Sequence, residues 1–323
     1  MSPIRRLAVL GLGSMGRKHA ANALDAGLDV AAFDPAGAEM DSVKAMPSRS
    51  AALDWCDAVV VASPSWAHRD DLAAIVAAGR CCLIEKPFAD RSEGVAELLA
   101  QAAAAGNVVA VAQNLRHHPA VERARTLLAE GAVGAARAAV SIGASYLPDW
   151  RPGRDYRRNY AADPASGGVI FDWVHEIDLL AHLLGPFEAA GAAADCSGPL
   201  VLGADEQAAL TLRHRSGALS TLMLSYSVRP QMRRTTLLGP DGGLEIDIPA
   251  RRLTAWDAER RPIEEVAFGG VHADDYRAEL FDFLEAAAHG RAPRCPGDEA
   301  LEILKGVLSL RAMAGLPAAK TEG

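Results

Sequence analysis

Residues 4 to 112 alternate short apolar runs with helix-like segments, and this alternation constrains the fold more than any other feature of the chain. The apolar runs are LAVLGL (7–12), DVAAF (29–33), DAVVVAS (57–63), CCLIE (81–85) and NVVAVAQ (107–113). Nearly continuous apolar strands of this kind are buried on both faces, as in parallel sheets. Because strands that alternate with helices are joined by right-handed crossovers, we expect an α/β domain with a parallel sheet.

The pattern changes after about residue 116. The expected segments are then a helix at 119–129, a strand at 138–147, an apolar helix at 169–184, alternating strands over 188–268, and helices at 275–288 and 298–314. Alternating strands separated by short turns are typical of antiparallel sheets. A chain of 323 residues is long enough for two domains. We therefore expect an α/β domain over residues 1–116 and an α+β domain with a mainly antiparallel sheet over residues 117–323.

The composition excludes several classes of protein. Half of the residues are hydrophobic and 23% are charged, which is typical of a globular chain rather than a disordered one. A net charge of -8 argues against nucleic-acid binding through a broad positively charged surface. No membrane span or signal peptide is predicted, because apolar runs of sufficient length are lacking. We expect a cytoplasmic protein without nucleic-acid or membrane partners. No metal site is expected either, since the sequence contains no CxxC pair and no HExxH motif.

A complete GxGxxG motif, Gly11-Leu12-Gly13-Ser14-Met15-Gly16, follows the first apolar run directly. In this position Gly11 allows the tight turn, Gly13 lets the backbone approach a pyrophosphate, and Gly16 lets helix and strand pack closely. A purely structural glycine turn is the alternative. The second strand ends in Asp34, where a carboxylate can accept hydrogen bonds from the adenosine ribose. The motif and the acid together predict a dinucleotide-binding Rossmann domain.

Asp34 also indicates which dinucleotide is bound. A carboxylate at the ribose repels a 2′-phosphate, and the next residue is Pro35 rather than an arginine that could hold one. We therefore expect the cofactor to be NAD, with NADP disfavoured.

Several blocks of the sequence, in this order and spacing, resemble the glucose-fructose oxidoreductase and inositol dehydrogenase family (Gfo/Idh/MocA). The blocks are GLGSMGRKHA (11–20), VVVASPSWAH (59–68), AGRCCLIEKPFA (78–89), QNLRHHPA (113–120), GAVG (131–134) and GGVIFDWVHEIDLL (167–180). The resemblance covers nearly the whole chain. It implies that the second domain binds a sugar, a cyclitol or a sugar derivative against an open-faced sheet.

The resemblance also implies roles for individual residues. Lys86 of the EKP block would lie beside nicotinamide and substrate, His175 would be the catalytic histidine, and Asp172 would be its partner acid. Many members space the acid and the histidine as DxxxH, whereas here they stand as DxxH, a spacing that still shares one helix face. The expected cofactor-binding residues are Gly11, Gly13, Ser14, Met15, Gly16, Asp34, Ser63, Pro64, His68, Glu85, Lys86 and Gln113.

The substrate site is less constrained. The loop 150–160 mixes aromatic and charged residues suited to stacking on a sugar ring and to binding hydroxyl or anionic groups, although a solvated charged loop has the same composition. Arginines facing the cleft would favour an acidic substrate such as a uronate, a sugar phosphate or a nucleotide sugar. Tyr226 and Arg229 are weaker candidates. The expected substrate-binding residues are Lys86, Arg116, Trp150, Arg151, Tyr156, Arg157, Asp172 and His175.

These features predict an enzyme that transfers a hydride between NAD and a secondary hydroxyl of a sugar-like substrate. One alternative is glycoside cleavage or epimerisation through transient oxidation, with NAD regenerated in place. Another is a dinucleotide-sensing regulator without catalysis. We also expect a homodimer or homotetramer that pairs its sheets through an apolar outer face carrying Leu210, Leu212, Leu222 and Leu224.

Overall fold

The computed structural model describes residues 4–153, 155–158 and 160–318, and the chain divides into two compact units. Unit 1 contains the residues up to 114 together with 271–304, and unit 2 contains 115–270 and the residues from 305 onward. The first division lies two residues before the expected boundary at 116. Residues 271–304 return to unit 1, whereas the sequence had placed them in the second domain.

Unit 1 is built on a parallel sheet with strand order β3-β2-β1-β4-β5-β6. Its strands and helices are β1 (Arg6–Leu10), α1 (Ser14–Asp25), β2 (Asp29–Phe33), β3 (Lys44–Ala45), α2 (Arg49–Trp55), β4 (Ala58–Val61), α3 (His68–Ala77), β5 (Cys81–Ile84), α4 (Val95–Ala104) and β6 (Val109–Val111). Strands β4 and β5 are buried along their whole length, as their continuous apolar sequence requires. The predicted α/β domain with a Rossmann sheet is confirmed.

The returning segment of unit 1 begins with α8 (His272–His289). Leu280, Phe283 and Ala287 of this helix join the core formed by Leu7 and Val9 of β1. Helix α9 (Gly297–Met313) follows, and the division between the units falls within it. The core of unit 1 therefore includes a helix that the chain reaches only after residues 115–270 of unit 2.

Unit 2 is built on a mixed, mostly antiparallel sheet with strand order β14-β13-β12-β11-β7-β10-β9-β8, in which β7 and β10 run parallel. Its elements are α5 (Pro119–Ala129), β7 (Ala138–Tyr146), α6 (Val169–Asp172), α7 (Val174–Leu184), β8 (Phe187–Asp195), β9 (Gln207–His214), β10 (Leu219–Ser225), β11 (Ser227–Gly239), β12 (Gly242–Asp247), β13 (Arg252–Asp257) and β14 (Pro262–Ala267). The predicted α+β domain is confirmed.

Helices α6 and α7 cover one face of this sheet, and the leucines expected on the outer face lie beneath them. Leu210, Leu212, Leu222 and Leu224 are all buried, and both helices contact β10. That part of the sequence prediction was wrong, because alternation shows that two faces differ without showing which one the helices cover. The opposite face instead exposes Val140, Leu219, Met223 and Leu238.

None of the helices described by the structure is long and apolar enough to span a membrane.

Candidate active site

The glycine motif forms the connection from β1 to α1. Gly11 has φ +90°, and a Cβ there would collide with the carbonyl group of Ala62. A Cβ at Gly16 would collide with the carbonyl oxygen of Gly11, so glycine is required at both positions. A Cβ at Gly13 would meet open space, which leaves the backbone accessible to a ligand at the start of α1. Ser14 is exposed and Met15 is half-buried in the first turn of the helix.

The carboxylate of Asp34 is fixed beside this motif. Its Oδ2 accepts a hydrogen bond from the backbone N–H of Leu12 at 2.7 Å, and its Oδ1 accepts one from the N–H of Ala36 at 2.8 Å. The first bond ties the end of β2 to the glycine motif. Each carboxylate oxygen retains a lone pair for further donors, so the group can still accept from ribose hydroxyls.

Ser63 and Pro64 follow β4, and Ser63 is held against α3. The hydroxyl of Ser63 donates to Asp71 at 2.6 Å, and the other oxygen of Asp71 pairs with Arg49 at 2.8 Å. Asp71 is almost completely buried, so its charge is balanced by these partners. The loop after β4 therefore has a defined conformation at the carboxyl edge of the sheet, where ligands of doubly wound folds bind.

His68 is enclosed by two loops of unit 1. The side chain is 1% exposed. Its Nε2 lies 2.8 Å from the carbonyl oxygen of Ser63, and its Nδ1 lies 3.0 Å from that of Pro87. With both nitrogens engaged and almost no exposed surface, His68 joins two loops of the protein. Its assignment as a cofactor residue stays a prediction.

Glu85 and Lys86 follow β5. Oε1 of Glu85 lies 2.8 Å from Nε2 of the fully buried His19, and its Oε2 accepts the backbone N–H of Lys86 at 3.2 Å. Burial by itself raises the pKa of Glu85, but the hydrogen bond and charge of His19 and the nearby Lys86 outweigh burial, and the pKa lies below its ordinary value. An ionised Glu85 thus fixes the backbone from which the Lys86 side chain extends. Gln113, which follows β6, is also buried.

In unit 2, two tyrosines hold Asp172. The hydroxyl of Tyr160 donates to its Oδ1 at 2.8 Å, and that of Tyr226 lies 3.0 Å from its Oδ2. Tyr226 is fully buried and also lies within 3.1 Å of the carbonyl oxygen of Gly168. Burial and the Asp172 carboxylate raise the pKa of Tyr226 well above its ordinary value, so the phenol stays protonated and donates.

The helix expected to carry both Asp172 and His175 is interrupted between them. Helix α6 ends at Asp172, Trp173 has φ −92° and ψ 26°, and α7 begins at Val174. His175 is half-buried in the first turn of α7. The expectation of one continuous helical face is therefore wrong. The sequence pattern also did not identify Tyr160 as a partner of Asp172, since nothing in the spacing of a loop residue links it to a helix.

The start of α6 is anchored by a buried ion pair. Asp205 accepts the N–H of Ile170 at 2.9 Å and pairs with Arg311 at 3.1 Å. Gly168 has φ +87°, and a Cβ there would collide with the Asp205 carboxylate. Because α6 is only one turn long, this anchor sets the position of Asp172 at its end.

Next to His175, the side chain of Glu176 binds Arg233 of β11. Nε of Arg233 donates to Oε1 of Glu176 at 2.6 Å, and the guanidinium lies 5.2 Å from the ring centre of Trp173. This ion pair joins the first turn of α7 to the sheet beneath it. It limits movement of the turn that carries His175.

Arg116 forms a buried ion pair with Asp178. Its Nε donates to Oδ2 of Asp178 at 3.0 Å and its terminal nitrogen donates to Oδ1 at 2.8 Å. Arg116 is 2% exposed, and Asp178 is fully buried. This arrangement anchors Arg116 to α7, and the substrate contact expected from the sequence stays a prediction.

Trp150 packs against Tyr226, the residue that binds Asp172. Its ring packs edge-on against Tyr226 with a centroid distance of 5.6 Å, and its Nε1 donates to the hydroxyl of Ser145 at 2.7 Å. The exposed side of Trp150 borders a groove of about 680 Å³. Its other lining residues are Ser145, Tyr146, Asp149, Arg229, Pro230 and Gln231.

The two described arginines that the sequence assigns to the substrate from the loop after Trp150 face solvent. Arg151 and Arg157 are exposed, and the guanidinium of Arg157 lies 4.9 Å from the ring centre of Tyr156. The hydroxyl of Tyr156 donates to the carbonyl of Leu200 at 3.3 Å. The substrate contacts expected of Arg151, Tyr156 and Arg157 stay predictions. Arg154, which the sequence had included in this loop, lies outside the described residues.

Comparison with known proteins identifies the family. Residues 5–113 match the model described as oxidoreductase family, NAD-binding Rossmann fold, and residues 121–245 match the model of the GFO/IDH/MocA C-terminal domain. The chain belongs to the Gfo/Idh/MocA family. The resemblance inferred from the sequence is thus confirmed, as are the NAD-binding character of the first domain and the assignment to the oxidoreductases.

Several proteins that resemble this chain match most of its length. UDP-N-acetylglucosamine 3-dehydrogenase of Acidithiobacillus ferrooxidans is 28% identical, and the match covers 95% of this chain and 96% of that protein. Its solved structure has a TM-score of 0.81 at 27% identity, covering 97% and 98% of the two chains. Inositol 2-dehydrogenase 2 of Saccharopolyspora erythraea is 28% identical, with 88% and 85% covered. Levoglucosan dehydrogenase in complex with NADH shares the fold, with a TM-score of 0.85 at 18% identity over 96% and 97% of the two chains.

Proposed function

We propose that this protein is an NAD-dependent dehydrogenase that oxidises a secondary hydroxyl group of a sugar derivative. The observation that carries the proposal is the placement of Lys86 directly after β5, at the carboxyl end of the NAD-binding sheet, on backbone fixed by Glu85. The open backbone at Gly13 and the oriented carboxylate of Asp34 fit the pyrophosphate and the ribose of a dinucleotide. The same carboxylate favours NAD over NADP.

The proposed chemistry divides between a base and a cation. Bound NAD supplies the hydride acceptor. In our assignment His175 removes the hydroxyl proton, and the ammonium group of Lys86 stabilises the negative charge that develops on the oxygen. The two roles could be exchanged. Asp172, held by its tyrosines, provides a fixed negative charge one helical break before His175.

The groove beside Trp150 supports a sugar-like substrate. Asp149 and Arg229 line the groove and form an ion pair at 2.7 Å, so their opposite charges balance. A neutral pair of this kind, with the Gln231 amide, offers acceptors and donors to hydroxyl groups, while Trp150 offers an apolar ring surface. We propose that the groove receives the part of the substrate that does not react. The relative from Acidithiobacillus ferrooxidans is named for a nucleotide sugar, which makes nucleotide sugars the first substrates to test.

We also propose that the protein forms a homodimer or homotetramer through the open face of the unit 2 sheet. Val140, Leu219, Met223 and Leu238 are between 42% and 50% exposed on neighbouring strands. Leu219 and Leu238 flank Ala138 in adjacent register positions, so the apolar residues form a continuous patch. Patches of this kind on a soluble protein favour association.

A substrate panel tests the proposed function. Sugars, cyclitols, uronates and nucleotide sugars are each incubated with NAD, and NADH is followed by absorbance. We expect net NADH formation with at least one compound, at a rate lower by roughly 10² to 10⁴ in the Lys86→Met variant. Product formation without net NADH would favour transient oxidation with NAD regenerated in place. Tight NAD binding without conversion of any compound would contradict the dehydrogenase proposal and favour a sensor.

A further inference from the structure

Both ring nitrogens of His68 face carbonyl oxygens. The distances are 3.0 Å from Nδ1 to Pro87 and 2.8 Å from Nε2 to Ser63. A carbonyl oxygen only accepts hydrogen bonds, so each contact requires an N–H group on the ring. A neutral imidazole carries one N–H, whereas the imidazolium carries two. The two contacts are therefore hydrogen bonds at the same time only when the ring is doubly protonated.

His214 shows the contrasting arrangement. Its Nδ1 lies 2.9 Å from the carbonyl oxygen of Gly185, and its Nε2 lies 2.9 Å from the hydroxyl of Ser220. Because a hydroxyl can donate, a neutral ring satisfies both contacts. Burial lowers the pKa of His214 below its ordinary value, which also favours the neutral ring. The two histidines thus differ in the proton count that their surroundings require.

Two acidic residues lie close to His68 in the sequence, and a third, Asp90, lies near it in space. Asp70 and Asp71 lie in the same first turn of α3, and Asp71 is bonded to Ser63 and Arg49. Asp90, in the segment after β5, is buried, and its Oδ1 has no hydrogen-bond partner within the described residues. Burial raises the pKa of Asp90, while the charges of Arg91 and His68 oppose that rise. A positive ring at His68 would therefore have a nearby carboxylate to balance it.

The two carbonyls bound by His68 belong to loops that follow neighbouring parallel strands. Val61 of β4 pairs with Ile84 of β5, and the chain then passes to Ser63 on one side and to Pro87 on the other. Lys86 immediately precedes Pro87, and its own N–H is bonded to Glu85, which His19 holds. The backbone at Lys86 is thus fixed on both sides by contacts to buried histidines.

We propose that His68 carries both ring protons in the folded protein and is a positioning residue that ties the loop after β4 to the loop after β5, thereby fixing Lys86. The effect on catalysis rests on the proposed function, whereas the protonation of His68 does not. The two parts can therefore be tested separately.

The protonation state is read by nitrogen NMR of the protein labelled at histidine, at neutral pH and without NAD. The ring signals of His68 are assigned through correlations to its own backbone amide. We expect two protonated ring nitrogens at His68 and one at His214. A single protonated nitrogen at His68 would overturn the proposal, and this outcome does not depend on any activity or on the folding of a variant.

The positioning role is tested with His68→Gln, since a glutamine amide cannot reach both carbonyls. We expect faster hydrogen exchange at the Lys86 amide and a kcat lower by about 10- to 100-fold, because small displacements of a reacting group have effects of that order. The KM for NAD should stay near the wild-type value. His214→Gln is the matched control, because it removes a buried histidine without touching either loop, and it should leave kcat and the Lys86 amide unchanged. Wild-type exchange at Lys86 in His68→Gln would contradict the positioning role even if no substrate had been found.

Discussion

The hydroxyl of Tyr226 lies 3.0 Å from Oδ2 of Asp172, and the two residues are 54 positions apart in the sequence. Tyr160 binds the other carboxylate oxygen at 2.8 Å. Asp172 therefore has a donor on each oxygen from outside its own helix.

Tyr226→Phe removes one donor from the Asp172 carboxylate. We expect the free energy of unfolding to fall by about 1.5 to 3 kcal/mol, the usual range for a hydrogen bond to a charged group. Tyr160→Phe removes the other donor from a ring that is largely exposed and should cost less. The two variants and their combination form a double-mutant cycle measured by denaturant unfolding. Because both phenols bind one carboxylate, we expect non-additive effects; strict additivity would show that they act independently.

Lys86→Met and His175→Asn test the proposed catalytic pair. We expect turnover to fall by roughly 10² to 10⁴, the usual contribution of one positioned proton-transfer group. NAD affinity, measured by titration, should stay within a few-fold of wild type in both, since neither residue is expected to hold the adenine half. Near wild-type turnover in His175→Asn on the true substrate would assign the base to Lys86 or Asp172.

Asp34 should determine the cofactor preference. The wild type should bind NAD more tightly than NADP, because the 2′-phosphate would meet a carboxylate that Leu12 and Ala36 hold in place. Combining Asp34→Ser with Pro35→Arg should narrow or invert the preference in fluorescence titrations. Equal binding of both dinucleotides by the wild type would show that Asp34 does not contact the ribose.

His182 should make the protein sensitive to acid. Burial, with the charges of Arg116 and Arg125, lowers the pKa of His182 to about 3. In the unfolded chain the pKa of His182 has its ordinary value near 6.5, so between about pH 3 and pH 6.5 the unfolded chain binds more protons than the folded chain. The free energy of unfolding therefore falls as the pH drops below 6.5. At pH 5 we expect the titration of His182 to lower the free energy of unfolding by about 2 kcal/mol. His182→Gln should remove it, and the difference between the two proteins' unfolding free energies should be flat above pH 6.5. Parallel pH profiles would contradict the prediction.

The open sheet face should mediate assembly. Light scattering at micromolar concentration should give a dimer or tetramer mass for the wild type. Replacing Val140 and Met223 by glutamate places charges in the centre of the apolar patch and should yield monomers with intact secondary structure. A monomeric wild type would refute the proposed assembly.

The sequence predicted those features that depend on local pattern. Continuous apolar runs gave the parallel sheet of unit 1, and the glycine motif is explained by collisions at Gly11 and Gly16 that any side chain would cause. The position of Asp34 at the end of β2 was also predictable, because its distance from the motif is set by one helix and one strand.

Features that depend on distant partners were not predictable. Periodicity in α8 shows an apolar face but does not show which sheet that face covers. The histidine at position 68 resembled a cofactor contact, yet its surroundings are two carbonyl groups whose position depends on loops after different strands. The break at Trp173 and the partners of Asp172 likewise depend on packing between distant segments. The spacing of residues in the sequence does not indicate such contacts.

The return of α8 to unit 1 has a consequence for exchanging parts between proteins of this family. The chain passes from one unit to the other after residues 114, 270 and 304. A gene fusion with a single junction near residue 115 would therefore combine a sheet from one parent with the Leu280 and Phe283 side chains of the other. Chimaeras that transfer cofactor specificity intact need all three junctions, so single-crossover recombination should yield few folded hybrids.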